Sequence, residues 1–293
     1  MESLFDRLVA RVPIRTGLGI AATIRLLDPI ALVRELWIRR DLISQLSRRD
    51  VAVRYRGSYL GIAWSLLNPL FLLAVYTLVF SSVFKARWGL EDEGTLDFAL
   101  VLFCGLTVFG IFAECVGRSP GLILSSSQYV KKVKFPLYVL PVVITISALA
   151  HAILSFVILV VAVWIAWGFV NWTLVLLPIS LFPLVMLCLG VSWFLSALGV
   201  FVRDISHVTN LLITALLFLS PIFYPVSAIP LWLQPLHQLN PLSIIIEQVR
   251  AVTIWGRTPD WFQLAAVSAL TFGLALCGYA WFERTREGFA DVM

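Results

Sequence analysis

Formal charge is what this sequence has least of. Only 13% of its 293 residues are Asp, Glu, Lys or Arg, against 60% that are hydrophobic. A soluble domain carries about 25% charged residues, because a globule must still cover its outside with polar groups. A water-soluble fold is excluded, and lipid is the solvent such a surface needs. Between Phe135 and Val202 there is no Asp, Glu, Lys or Arg at all. Ion-coupled carriers hold their ions on carboxylates or histidines within the bilayer. Here only Glu114 and His151 sit at plausible depth. They read as a helix-end residue at the inner interface and a hydrogen-bonded bundle residue, which is too little for a relay. No GxxxxGK[ST] phosphate loop occurs, which excludes the usual P-loop mode of ATP binding, and HExxH and GxSxG are also missing. Cys104, Cys115, Cys188 and Cys277 lie in apolar stretches without CxxC or Cys/His spacing. They read as small buried hydrophobes, and no metal site is expected. The first residues mix Glu2, Asp6, Arg7, Arg11 and Arg15, unlike a cleavable signal peptide.

What is present is a set of long apolar runs. Hydrocarbon about 30 Å thick needs about 20 apolar residues. Such runs cover residues 59–84, 98–116, 205–224 and 261–282. The uncharged stretch is long enough for two more, 137–167 and 173–201, divided at a turn marked by Gly168 and Asn171. Eleven Trp and seven Tyr suit a chain that anchors rings at headgroup depth. With the N-terminus inside, every Lys and Arg except Lys85, Arg87, Arg250 and Arg257 falls on the cytoplasmic side, as the positive-inside bias requires. The net charge of +5 therefore reflects basic inner loops, and nucleic acid is not an expected partner.

The expected fold is an all-α integral membrane protein with six transmembrane helices per subunit and both termini cytoplasmic. Residues 1–58 form a cytoplasmic N-terminal segment, 59–282 the membrane domain, and 283–293 a tail. In residues 36–58, Leu42, Ile43, Leu46, Val51 and Val53 alternate with Arg48, Arg49, Asp50, Arg54 and Arg56. The pattern is that of an amphipathic helix lying in the membrane interface, or of a basic stop-transfer flank. The outer segment 225–260 is apolar but broken by Pro225, Pro230, Pro235, Pro241 and Pro259. It fits a pair of outer re-entrant helices or a loop resting on the membrane. The inner loop 117–136 carries Ile123, Leu124, Val130 and Val133 at helical spacing, followed by Lys131, Lys132 and Lys134. It could dock as a short helix into a cytoplasmic partner or be held by anionic lipid.

Four stretches resemble the permease subunits of ABC type-2 polysaccharide exporters, the family of O-antigen, capsule and teichoic acid export. They are RDVAVRYRGSYLGIAWSLLNPL at 49–70, YVKKVKFPLYVLP at 129–141, FVRDISHVTNLLITALLFLSPIFYP at 201–225 and LNPLSIIIEQVR at 239–250. The resemblance implies a membrane subunit that moves a lipid-linked polysaccharide across the bacterial inner membrane, without enzyme activity of its own. It implies a homodimer with a pore between the copies, and two copies of a cytoplasmic ABC ATPase that bind ATP and Mg in place of this chain. Coupling to that ATPase would fall to 117–134, with Arg118, Ile123, Leu124, Tyr129 and the three lysines, and the outer gate to 225–250. The interface helix would place Arg48, Arg49, Asp50, Arg54 and Arg56 near the pore entrance. Aromatic rings stack on sugar faces without fixing one register. On the first span Trp64, Asn68, Phe71, Val75 and Ser82 share a face, which lines a sugar path or packs helices. Phe218, Phe223 and Tyr224 form a second group, facing substrate or lipid. Rival readings are a type-2 exporter of a small hydrophobe or drug, and a membrane enzyme acting on lipid-linked sugars with Glu114 as its acid or base.

Overall fold

The computed structural model describes residues 28–54, 63–79, 95–130, 135–226, 230–232 and 234–292, and every element among them is helical. Asp28 starts α1 (Pro29–Ile38), accepting from the amides of Ile30 and Ala31 at 2.9 and 3.4 Å, with Pro29 at the position where a missing N–H costs nothing. The single helix expected from residue 36 onward is broken at Arg39. There Arg39 donates to the Tyr138 hydroxyl (2.6 Å), which itself donates to Glu35 (2.9 Å). Beyond that break α2 (Arg40–Arg54) lays Ile43 and Ser47, both buried, toward the long helix Val139–Trp167.

α3 (Trp64–Tyr76) and the 24-residue α4 (Thr95–Arg118) come next. The short turns α5 (Leu122–Ser125) and α6 (Ser127–Val130) lead to α7 (Val139–Trp167). Gly168, at φ 78°, ends α7 where the sequence places its turn. A 3-10 turn (Trp172–Leu176) opens α8 (Leu177–Phe201). α9 (Ile205–Leu219) stops five residues short of the apolar run. Ser220 precedes a proline, is driven out of the helical region, and adopts φ −91°, ψ 149°. α10 (Gln234–Leu239), α11 (Pro241–Thr253), α12 (Trp261–Thr285), a 3-10 turn and α13 (Phe289–Val292) complete the order.

Among the described residues, four helical segments are long and apolar enough to cross a membrane: Asp97–Arg118, Val139–Trp167, Trp172–Phe201 and Trp261–Gly288. α3 and α9 are apolar but shorter. The apolar stretch of α4 is 72% buried, against 33–39% in the other three. α4 is thus the central post, touching α3, α7, α8, α9 and α11. The remaining helices turn large side chains outward, such as Ile153, Trp164 and Ile165 on α7, which only lipid solvates without penalty. α8 and α12 pack along most of their length because Gly190 and Gly278 face each other: a Cβ on Gly190 would stand 2.7 Å from the Leu274 carbonyl. The chain is a multi-pass membrane protein.

Two cores divide the bundle. One surrounds α4. The other gathers Leu32, Ile43, Ile123, Tyr138, Trp193, Phe282 and Phe289, so the segments the sequence assigns to the cytoplasm meet at one end. At the opposite end Trp167 donates to Asp97 (2.7 Å) and Thr173 to the Val252 carbonyl (2.7 Å). Cys104, Cys115 and Cys188 are buried as expected, whereas Cys277 is exposed, on the outward face of α12.

Candidate functional site

Helical spacing builds the site. Glu114 and Arg118 lie one turn apart at the end of α4, and Asp50 and Arg54 one turn apart at the end of α2. Positions four apart share a face, so two alternating acid–base pairs oppose each other where α2 and α4 approach. Arg118 binds Asp50 through both terminal nitrogens, at 3.0 and 2.7 Å. Arg54 binds Glu114 through one nitrogen and meets His151 Nδ1 of α7 with the other, at 2.9 Å. Contacts of 3.6 Å from Arg118 to Glu114, 3.9 Å from Arg54 to Asp50 and 3.7 Å from His151 to Glu114 close the network. A guanidinium has no acceptor, so the ring nitrogen facing Arg54 accepts.

These five side chains are only 18–34% exposed. Half-buried ions persist only when paired and hydrogen-bonded, and here two carboxylates neutralise two guanidiniums. Burial alone would raise the Asp50 pKa. The hydrogen bonds and charge of Arg118, with help from Arg54, outweigh it and hold the carboxyl below its ordinary 3.8.

Above this network lies a cavity of about 210 Å³ between α3, α4 and α7. Asn68, Tyr76, Thr107, Glu114, His151 and Ser155 supply its polar lining. Ordinary ligand pockets run to about 300–1,000 Å³, so this cavity is smaller than a typical ligand pocket.

The structure joins residues that the sequence separates. Asp50, Arg54, Arg118, Glu114, His151 and Asn68 belong to one site. Arg118 is engaged inside the chain and is not a free surface cation. Trp64, Asn68 and Phe71 are all exposed on α3, and of the three Asn68 also lines the cavity. Ile123 is fully buried in the second core and anchors the inner loop, while Leu124 is exposed. Tyr129 stacks on Phe135 at 4.4 Å, and Arg49 reaches the Tyr129 hydroxyl at 3.5 Å. Arg48 is exposed on α2. Phe218 and Phe223 stack at 5.7 Å, and the Tyr224 hydroxyl donates to the Phe218 carbonyl at 2.7 Å, making one aromatic ledge. Ser82, Arg56, Lys131, Lys132 and Lys134 lie outside the described residues.

Sequence reasoning missed Tyr76, Thr107 and Ser155, whose hydroxyls are unremarkable in apolar helices. It counted Arg250 among the outer basic residues but missed that the side chain is fully buried. The signal was there: Glu247 stands three residues before Arg250 in an apolar helix, a spacing that lets the two pair.

Comparison with known proteins matches residues 41–254 to the family model described as ABC-2 type transporter. An O-antigen export system permease protein of Myxococcus xanthus (RfbA) is 31% identical over 265 residues, covering 89% of this chain and 99% of that protein. A Klebsiella pneumoniae protein of the same description is 25% identical, covering 86% and 95%. The polysialic acid transport protein KpsM of Escherichia coli is 24% identical, covering 85% and 95%. With nearly three-quarters of its length inside the family model and its helices arranged around α4, the chain belongs to the ABC-2 type transporter family.

Proposed function

We propose that the chain is the membrane-spanning subunit of an ATP-driven exporter that moves a lipid-linked polysaccharide across the bacterial inner membrane. The observation that carries this is the 31% identity to an O-antigen export permease, extending over 99% of that relative.

In this reading α3 and α9 complete six spans, and both termini are cytoplasmic. α10 and α11 form the outer re-entrant pair. At 13 residues, α11 reaches about 20 Å, too short to cross. Two copies associate through exposed apolar faces, including Leu67, Phe71, Leu211 and Phe218, and the passage runs between them. ATP and Mg are held by two copies of a separate cytoplasmic ABC ATPase. That partner pushes on the inner loop 117–136, at Leu124, Tyr129 and the lysines beyond.

The ion network gives the push a route. Arg118 is the last residue of α4 and lies within the coupling segment 117–134, and it grips Asp50 of α2 with two bonds. Arg54 passes the linkage to Glu114 and His151. A displacement of the loop therefore moves α2, α4 and α7 as one body and reshapes the cavity wall. The enzyme reading loses support, because Glu114 is already engaged by Arg54 and Arg118. Depletion of the chain in its native cell tests the proposal: polysaccharide should accumulate inside and vanish from the surface. Unchanged surface polymer, or loss of drug efflux instead, would refute it.

A further inference from the structure

Arg250 of α11 has no exposed surface, although its charge belongs in water. Its guanidinium is spent on three separate pieces of chain. Nε donates to the Val101 carbonyl of α4 at 3.2 Å. One terminal nitrogen donates to the Pro221 carbonyl at 2.5 Å and to Glu247 at 2.7 Å. The other donates to the Ile222 carbonyl at 3.1 Å. Pro221 and Ile222 lie just past the end of α9, where carbonyls have lost their helical partners, and the planar fork of arginine matches that need. α11 grips the same turn a second time through Asn240, which donates to Ser220 at 3.1 Å.

α4 makes room for this arrangement. A Cβ on Gly105 would stand 2.6 Å from a terminal nitrogen of Arg250 and 3.3 Å from its central carbon. The aromatic ledge of Phe218, Phe223 and Tyr224 flanks the turn on both sides, so whatever fixes the turn fixes the ledge.

We propose that Arg250 is a positioning residue for transport: one enclosed guanidinium binds the turn after α9 to α4 and α11 and keeps the outer aromatic ledge closed at rest. The inference rests on the proposed reading of α10 and α11 as the outer re-entrant pair. It assigns the latch to a residue that touches neither substrate nor ATPase.

The test uses the full complex, permease with its ATPase, in liposomes loaded with carboxyfluorescein. Dye release without ATP is followed for wild type, R250Q, R250K and G105A, with basal ATP hydrolysis as the measure of assembly. R250Q removes the cation. G105A retains it but displaces it sterically. Both should raise resting leakage by at least about tenfold, the factor corresponding to one charged hydrogen bond lost from the closed state, with hydrolysis near wild type. R250K, a charge without the fork, should fall between. Wild-type tightness in assembled R250Q and G105A would overturn the proposal. Failure of both to assemble would also overturn it, making Arg250 a folding residue. Resting leakage needs no polysaccharide, so the result is independent of the cargo assignment.

Discussion

Asp50→Asn removes one of the two negative charges that balance Arg54 and Arg118. Arg118 loses a carboxylate bound at 3.0 and 2.7 Å and retains only its 3.6 Å approach to Glu114. An asparagine keeps one acceptor and turns a donor toward a group that can only donate. Breaking a buried pair costs about 3–5 kcal/mol, and exposed pairs contribute about 0–1 kcal/mol. With side chains 24–34% exposed, the cost should be about 2 kcal/mol, a factor of about 30. In a chain of this length that corresponds to a fall of about 4–8 °C in apparent melting temperature. The assay is unfolding of the detergent-solubilised protein, with Asp50→Asn, Arg118→Gln and the double variant forming a cycle. The two changes should couple by about 1–3 kcal/mol, and the single variants should lose ATP-driven export while still binding the ATPase. A melting temperature unchanged within about 1 °C, or strictly additive variants, would refute the network.

The network also has a pH signature. Because the folded Asp50 carboxyl sits below its ordinary 3.8, its contribution is complete above that value and is lost as pH falls through the lower folded one. The stability gap between wild type and Asp50→Asn should be flat from about pH 8 to about pH 5 and close in stronger acid, as differential scanning fluorimetry can follow. Among the cysteines, Cys277 alone should react with a membrane-permeant maleimide in the native protein, and Cys277→Ser should abolish labelling. Replacing Lys131, Lys132 and Lys134 with Glu should leave membrane insertion intact and stop export, read by fractionation and surface polymer staining.

Much of the bundle was legible in the sequence because hydropathy is a local property. The turn at Gly168, α8 and α12 follow from apolar length alone. Boundaries shifted where a pairwise effect intervened: Ser220 left the helix because of the proline after it, and α1 and α2 separated where Arg39 turned to Tyr138. The site was legible only as parts. Asp50 and Arg118 are 68 residues apart, and no periodicity links them. The burial of Arg250 was not legible because charge counting assigns a side of the membrane and not a depth, whereas three carbonyls and Glu247 solvate this side chain internally. Cys277 was misjudged because apolar surroundings in the sequence do not distinguish a protein interior from a lipid-facing surface.

Reconstitution tests the central claim, that this scaffold takes its energy from another chain. The purified protein is placed in liposomes alone, with its ATPase, and with ATPase plus ATP, and movement of lipid-linked polysaccharide is followed in each. Transport should require both subunits and ATP. ATP hydrolysis by the isolated chain, or polymer movement driven by a proton gradient without the ATPase, would contradict the account.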